Sequence, residues 1–168
     1  YENMSIALAE SVANQGQGFI NSMAFGNGGT SVDPTGIITY LTPNSTGTNA
    51  SLYNQTFTKI VDDRSVSNLD PQRNKIETRH VNGTNYTDVV VTCLLDYGEP
   101  NGQDATDTAS ASDSLYVFDE LGLVSYASSG TGKLLTHVVF HPVQKSLNRL
   151  IQIDYTVRVQ SLTGFNEG

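Results

Sequence analysis

The stretch LIQIDYTVRVQ, residues 150–160, alternates without a break. Ile151, Ile153, Tyr155, Val157 and Val159 fall on one side and Gln152, Asp154, Thr156, Arg158 and Gln160 on the other. Successive side chains of an extended strand point to opposite faces, so this period of two builds a half-buried β-strand and no helix. The period recurs in residues 19–25, 37–41 and 52–61; in the last, Tyr53, Phe57 and Val61 share one face and Leu52 and Ile60 the other. Residues 75–81 read as a polar strand, and Asn82-Gly83 is a hairpin signal leading into residues 86–97. There Val89, Val91, Cys93, Leu95 and Tyr97 share a face while Val90 and Leu94 occupy the other, which predicts a central strand covered on both sides. Residues 115–118 and 121–126 form two more strands around a turn-like DELG (residues 119–122). Residues 133–141 form another, stopped or held at an edge by Pro142. The expected fold is mostly β: an antiparallel β-sandwich with long loops and a short N-terminal helix.

The helix is expected from Met4, Ala7, Leu8, Ser11 and Val12, which lie on one narrow face with Asn3 as candidate cap and Gly16 and Gly18 as stops. A stripe this weak predicts a helix that docks on a neighbour. The chain of 168 residues thus divides into a helical arm (1–18), a sandwich domain (19–160) and a C-terminal tail (161–168). Residues 62–74 are polar and broken by Pro71, so they read as a loop. Residues 98–114 carry almost no apolar bulk and read as a long exposed excursion.

Only 15% of residues are charged, and the net charge is −8. Nucleic-acid binding needs clustered Lys and Arg, so it is disfavoured, as is attraction to an anionic membrane surface. No apolar run is long enough to span a bilayer, and residues 1–3 show no secretory-signal pattern. Cys93 is the one cysteine; it sits in an apolar run and reads as a small buried hydrophobe. Six N-x-[ST] sequons, at Asn3, Asn44, Asn49, Asn54, Asn82 and Asn85, are expected from chance in a chain this rich in Asn, Ser and Thr.

No chemistry is specified by spacing. The glycine-rich SMAFGNGGTSVDPTG (residues 22–36) lacks the lysine and following helix of a phosphate loop, so Gly26, Gly28 and Gly29 are read as allowing positive φ in a connection near an assembly surface. Asp96, Glu99, Asp104 and Asp107 do not match calcium-loop spacing. The pairs Asp62-Asp63 and Asp119-Glu120 are read as turn residues. His137 and His141 are placed on one strand face as a surface or interface pair, with no third metal ligand nearby. Lys145, Arg149 and Arg158 are read as solvated or partner-facing cations. No catalytic, cofactor-binding or metal-binding residue is expected. The assembly candidates are Met4, Leu8, Val12, Gly26, Gly28, Gly29, His137 and His141.

Four segments occur in a telling order: MAFGNGG (residues 23–29), ASLYNQTF (50–57), FDELGLVS (118–125) and GKLLTHVVFHPVQKSLNRLIQIDYTVRVQ (132–160). Together they resemble the virion structural proteins of contractile-tailed bacteriophages, in particular the tail-collar fibre type. Gln55 and Thr56 depart from that type, which has a glutamate there. The resemblance implies a non-enzymatic virion subunit of the tail, neck, collar or baseplate, acting as a fibre or fibre adaptor. It implies other virion proteins as partners, a symmetric homo-oligomer and no cofactor. A capsid-surface decoration protein and a carbohydrate-binding host-recognition module, with Tyr40, Tyr53, Tyr97 and Tyr126 stacking on sugars, are the alternatives.

Overall fold

The computed structural model describes residues 1–44, 47–100, 115–130, 132–146 and 148–162. The fold is mostly β, with one N-terminal helix and antiparallel sheets packed as a sandwich. The helix is α1 (Glu2–Val12), and the strands are β1 (Ile20–Gly26), β2 (Thr30–Val32), β3 (Ile38–Tyr40), β4 (Gln55–Ile60), β5 (Lys75–His80), β6 (Tyr86–Leu95), β7 (Leu115–Ser125), β8 (Val138–Ser146) and β9 (Ile151–Gln160). One sheet runs β4-β1-β7-β8, the other β5-β6-β9, and β2-β3 is a separate hairpin.

The alternation places the core. Met23 and Phe25 of β1 and Phe118, Leu121 and Leu123 of β7 face Val91, Cys93 and Leu95 of β6, all buried. Phe118 meets Phe25 edge-on at 5.3 Å between ring centroids and Phe140 at 5.7 Å. Burial of each such ring stabilises the fold by about 1.5–3 kcal/mol. On β9 the inward set alternates with an exposed set as the sequence predicts. The hairpin joining β5 to β6 turns at Asn82-Gly83, with Gly83 at φ +90°. Strand β6 is central, paired to both β5 and β9. Val90 and Leu94 are buried on its outer face, whereas Tyr97 lies beyond the strand and is exposed.

Several expectations are corrected. DELG is no turn: β7 runs through it as one strand. Phe118 pairs with Val143 and Glu120 with Val139, so Asp119 alone stands opposite Phe140, His141 and Pro142. That bulge accommodates Pro142 inside β8, at a sheet edge, where a missing N–H costs no ladder bond. Strand β8 starts only at Val138; before it, Leu134 and Leu135 touch the end of β7 through an isolated bridge and the Leu135 N–H to Leu123 carbonyl bond. The glycine-rich stretch contains the unforeseen β2, paired with β3 around a turn in which the Asp33 carboxylate accepts from the Thr35 and Ile37 N–H groups.

The helix also differs. Tyr1 is its N-cap, and Asn3 lies inside it, buried, with its amide donating to the Leu134 carbonyl at 3.0 Å. With Ala7 buried and Met4 packed on the core, α1 docks on its own chain. Lys145, expected among solvated cations, is buried and donates to the carbonyls of Asp96, Glu99 and Ser146 at 2.8–2.9 Å. Burial lowers its pKa, against the opposing pull of Glu99 and Asp96. Most of the expected 98–114 excursion, with Asp104 and Asp107, and residues 163–168 of the tail lie outside the described residues.

Candidate functional site

The bulge in β7 sets two neighbouring carboxylates beneath the glycine-rich loop. Glu120 is fully buried and Asp119 nearly so. The Gly29 N–H donates to Asp119 Oδ1 at 2.8 Å, and the Thr30 N–H and hydroxyl donate to Oδ2. Glu120 Oε1 accepts from the N–H groups of Gly28 at 3.3 Å and Asn54 at 2.8 Å. Its Oε2 accepts from the Tyr53 N–H at 3.0 Å and from His137 Nε2 at 2.7 Å. The loop therefore does what glycine-rich loops do for phosphates, presenting successive N–H groups to an anion, but the anion is the chain's own side chains.

The imidazole is held by both nitrogens. The Asn44 N–H donates to His137 Nδ1 at 2.7 Å, so Nδ1 carries no proton, and Nε2 carries the one given to Glu120. The His137 and Glu120 side chains are wholly buried. Every carboxylate oxygen of the cluster accepts at least one hydrogen bond from within the chain, so these buried polar atoms are satisfied. The arrangement ties the Gly26–Gly29 loop, the segment before β4, strand β7 and the segment before β8 to one point.

The glycines are present for close approach. None of Gly26, Gly28 and Gly29 has positive φ, contrary to the sequence reading; among the described residues of that stretch Gly36 does, at +87°. A Cβ on Gly26 would collide with the Asn54 carbonyl and with Glu120 Oε1, and one on Gly28 would sit 2.8 Å from the Tyr53 Cβ. A Cβ on Gly29 would stand 3.0 Å from Val139 Cγ1 and 3.1 Å from the Asp119 carbonyl oxygen.

The histidines do not form a surface pair. His137 is inside the cluster, while His141 is exposed on β8 with Nδ1 3.3 Å from the Tyr40 hydroxyl. Met4 and Leu8 line a groove of about 760 Å³ between α1 and the inner face of the three-stranded sheet, with Ile76, Val89, Val157 and Val159 on its floor. Val12 is 87% exposed. Among the described residues no three His, Cys, Asp or Glu side chains are grouped to hold a metal ion, and no helix is long and apolar enough to cross a membrane.

The sequence reading missed the linkage between Asp119-Glu120 and His137. A signal was present: two carboxylates enclosed by Phe118 and Leu121 in an otherwise apolar strand have to be either a turn or a buried acceptor pair. Comparisons with family models, curated proteins and solved structures find no match.

Proposed function

We propose that this chain is a non-enzymatic structural subunit of a phage virion, in the tail, neck, collar or baseplate region, working as a fibre or fibre adaptor beside other virion proteins. The observation that carries the reading is the convergence at Glu120. The four segments of the resemblance each supply a group to the cluster: Gly28 and Gly29 from the first, Tyr53 and Asn54 from the second, Asp119 and Glu120 from the third, His137 from the fourth. The ordered motifs are thus one three-dimensional lock, and its acid and imidazole groups face no solvent. A chain whose polar chemistry is spent on fixing loops, and which offers outward edge strands and an apolar groove, suits an assembly subunit.

Mass spectrometry and cryo-EM of purified particles of the phage encoding the chain test this. The expected result is the chain in the particle at a copy number matching tail symmetry. A copy number following the capsid lattice supports the decoration alternative, and its absence from purified particles overturns the virion reading.

A further inference from the structure

Among the described residues, four strands form the edges of the two larger sheets, and they differ. Strand β8 carries Pro142 and an irregular register, β4 has a register shift against β1, and β5 is short, with Lys75, Glu77 and Arg79 along it. Strand β9 has neither proline nor register shift: ten residues pair with β6 in unbroken register, and its two charged residues, Asp154 and Arg158, are of opposite sign. The Ser161 N–H to Asn85 carbonyl bond fixes the phase of that ladder. Odd-numbered residues of β9 bond to β6, so the N–H and C=O groups of Gln152, Asp154, Thr156, Arg158 and Gln160 line the open edge. Among the described residues no backbone bond joins them to another segment. A long regular edge of this kind is a template for another strand.

We infer that the occupant is the β9 strand of a second copy, antiparallel across a two-fold axis through Thr156. The charge pattern selects this register. Centred on Thr156, Asp154 of each copy faces Arg158 of the other, and Gln152 faces Gln160. Centred on Asp154 or on Arg158, like charges would face each other, and centring on Tyr155 or Val157 leaves both charges opposite neutral residues. The Thr156 register also uses nearly the whole strand, forming about ten backbone bonds between the copies. On the inner face it sets Ile153 against Val159, which is 44% exposed in the single chain, and Tyr155 against Val157. Arg158 is already oriented: it grips Asp88 at 2.8 and 3.1 Å and lies 3.8 Å over the Tyr86 ring. Asp154 has no ion pair among the described residues, only Gln152 amide contacts at 3.2 and 3.5 Å. Pairing places each guanidinium between Asp88 of its own chain and Asp154 of the second copy, and joins the two three-stranded sheets into one of six strands.

This dimer stands whether or not the chain belongs to a virion, because its test is the mass of the purified chain in solution. Sedimentation equilibrium on the full chain is expected to give a dimer. Thr156→Pro removes an N–H that β6 does not use and is expected to give a monomer. Asp154→Arg is expected to be monomeric through Arg–Arg opposition, and Arg158→Asp through Asp–Asp opposition. Mixing those two variants is expected to restore a dimer, seen by native mass spectrometry as the heterodimer alone. If Arg158→Asp lowers the melting temperature, Asp154→Arg decides the register by itself, since Asp154 makes no cross-strand ion pair in the single chain. A monomeric wild type, or a dimer that survives Thr156→Pro or Asp154→Arg, overturns the inference.

Discussion

Cys93 sits among β6 core residues with no solvent exposure, and burial pushes its thiol from 9.0 up to about 12. Below pH 9.0 both folded and unfolded chains hold the proton, and the burial is fully stabilising. Above it the unfolded chain releases the proton first, so stability falls as pH rises toward about 12. The slope from this thiol approaches about 1.4 kcal/mol per pH unit. Burial raises the Tyr116 hydroxyl as well and adds to the same trend. Urea titrations from pH 8 upward are expected to show Cys93→Ala losing stability less steeply than wild type. The folded wild type is expected to resist thiol reagents that label it in urea. A second residue-scale contrast concerns two glycines. Gly26→Ala drives a methyl into Asn54 and Glu120 and is expected to cost about 3 kcal/mol or more. Gly36→Ala meets nothing within 4 Å and bears only the penalty of its left-handed φ, about 1 kcal/mol. Equal losses in denaturant midpoint would refute the close-approach account of Gly26.

At the scale of elements, the buried carboxylates hold together pieces that the ladders leave separate. Glu120→Gln keeps the shape but turns an amide NH₂ toward N–H donors, so at least one donor loses its acceptor. A loss of about 2–4 kcal/mol is expected. Amide exchange is expected to accelerate at Gly28, Tyr53 and Asn54 before it does in β6. Unchanged exchange at these amides would show that the lock does not hold the loops. The strands themselves were legible where apolar residues recur at every second position, because such positions all face one sheet: β9, β6 and the β5–β6 turn came out with bounds close to those read from sequence. DELG was misread because acids and a glycine between apolar residues look like a turn. What makes it strand is the supply of donors from residues 28–30, 53–54 and 137, which are distant in sequence. The same blindness hid β2, whose three residues become a strand only through pairing with β3, and put His137 on a surface it does not occupy.

For the whole molecule, α1 lies where sequence patterning put a helix, but its cap and its means of attachment differ. Its stripe is weak because the helix is fastened by Asn3 and the small Ala7 and needs no broad apolar face. It forms one wall of the groove over Ile76, Val89 and Val157. Removing residues 1–15 is therefore expected to lower the melting temperature and increase binding of a hydrophobic dye, by exposing the inner face of the three-stranded sheet. A truncated chain with unchanged melting and no added dye binding would mean that the sandwich does not need its helix.

The position of His137 late in the chain also orders events in time. The cluster takes groups from residue 28 to residue 137, so its last member leaves the ribosome long after the glycine-rich loop. Until then Glu120 lacks its imidazole partner, and Asn44 lacks the acceptor that positions it. Contacts this far apart in sequence close late and slowly. The outer loops consequently take their final shape only once the sheet beneath them is complete, and a chain cut before His137 leaves Glu120 and Asn44 without the imidazole that joins them.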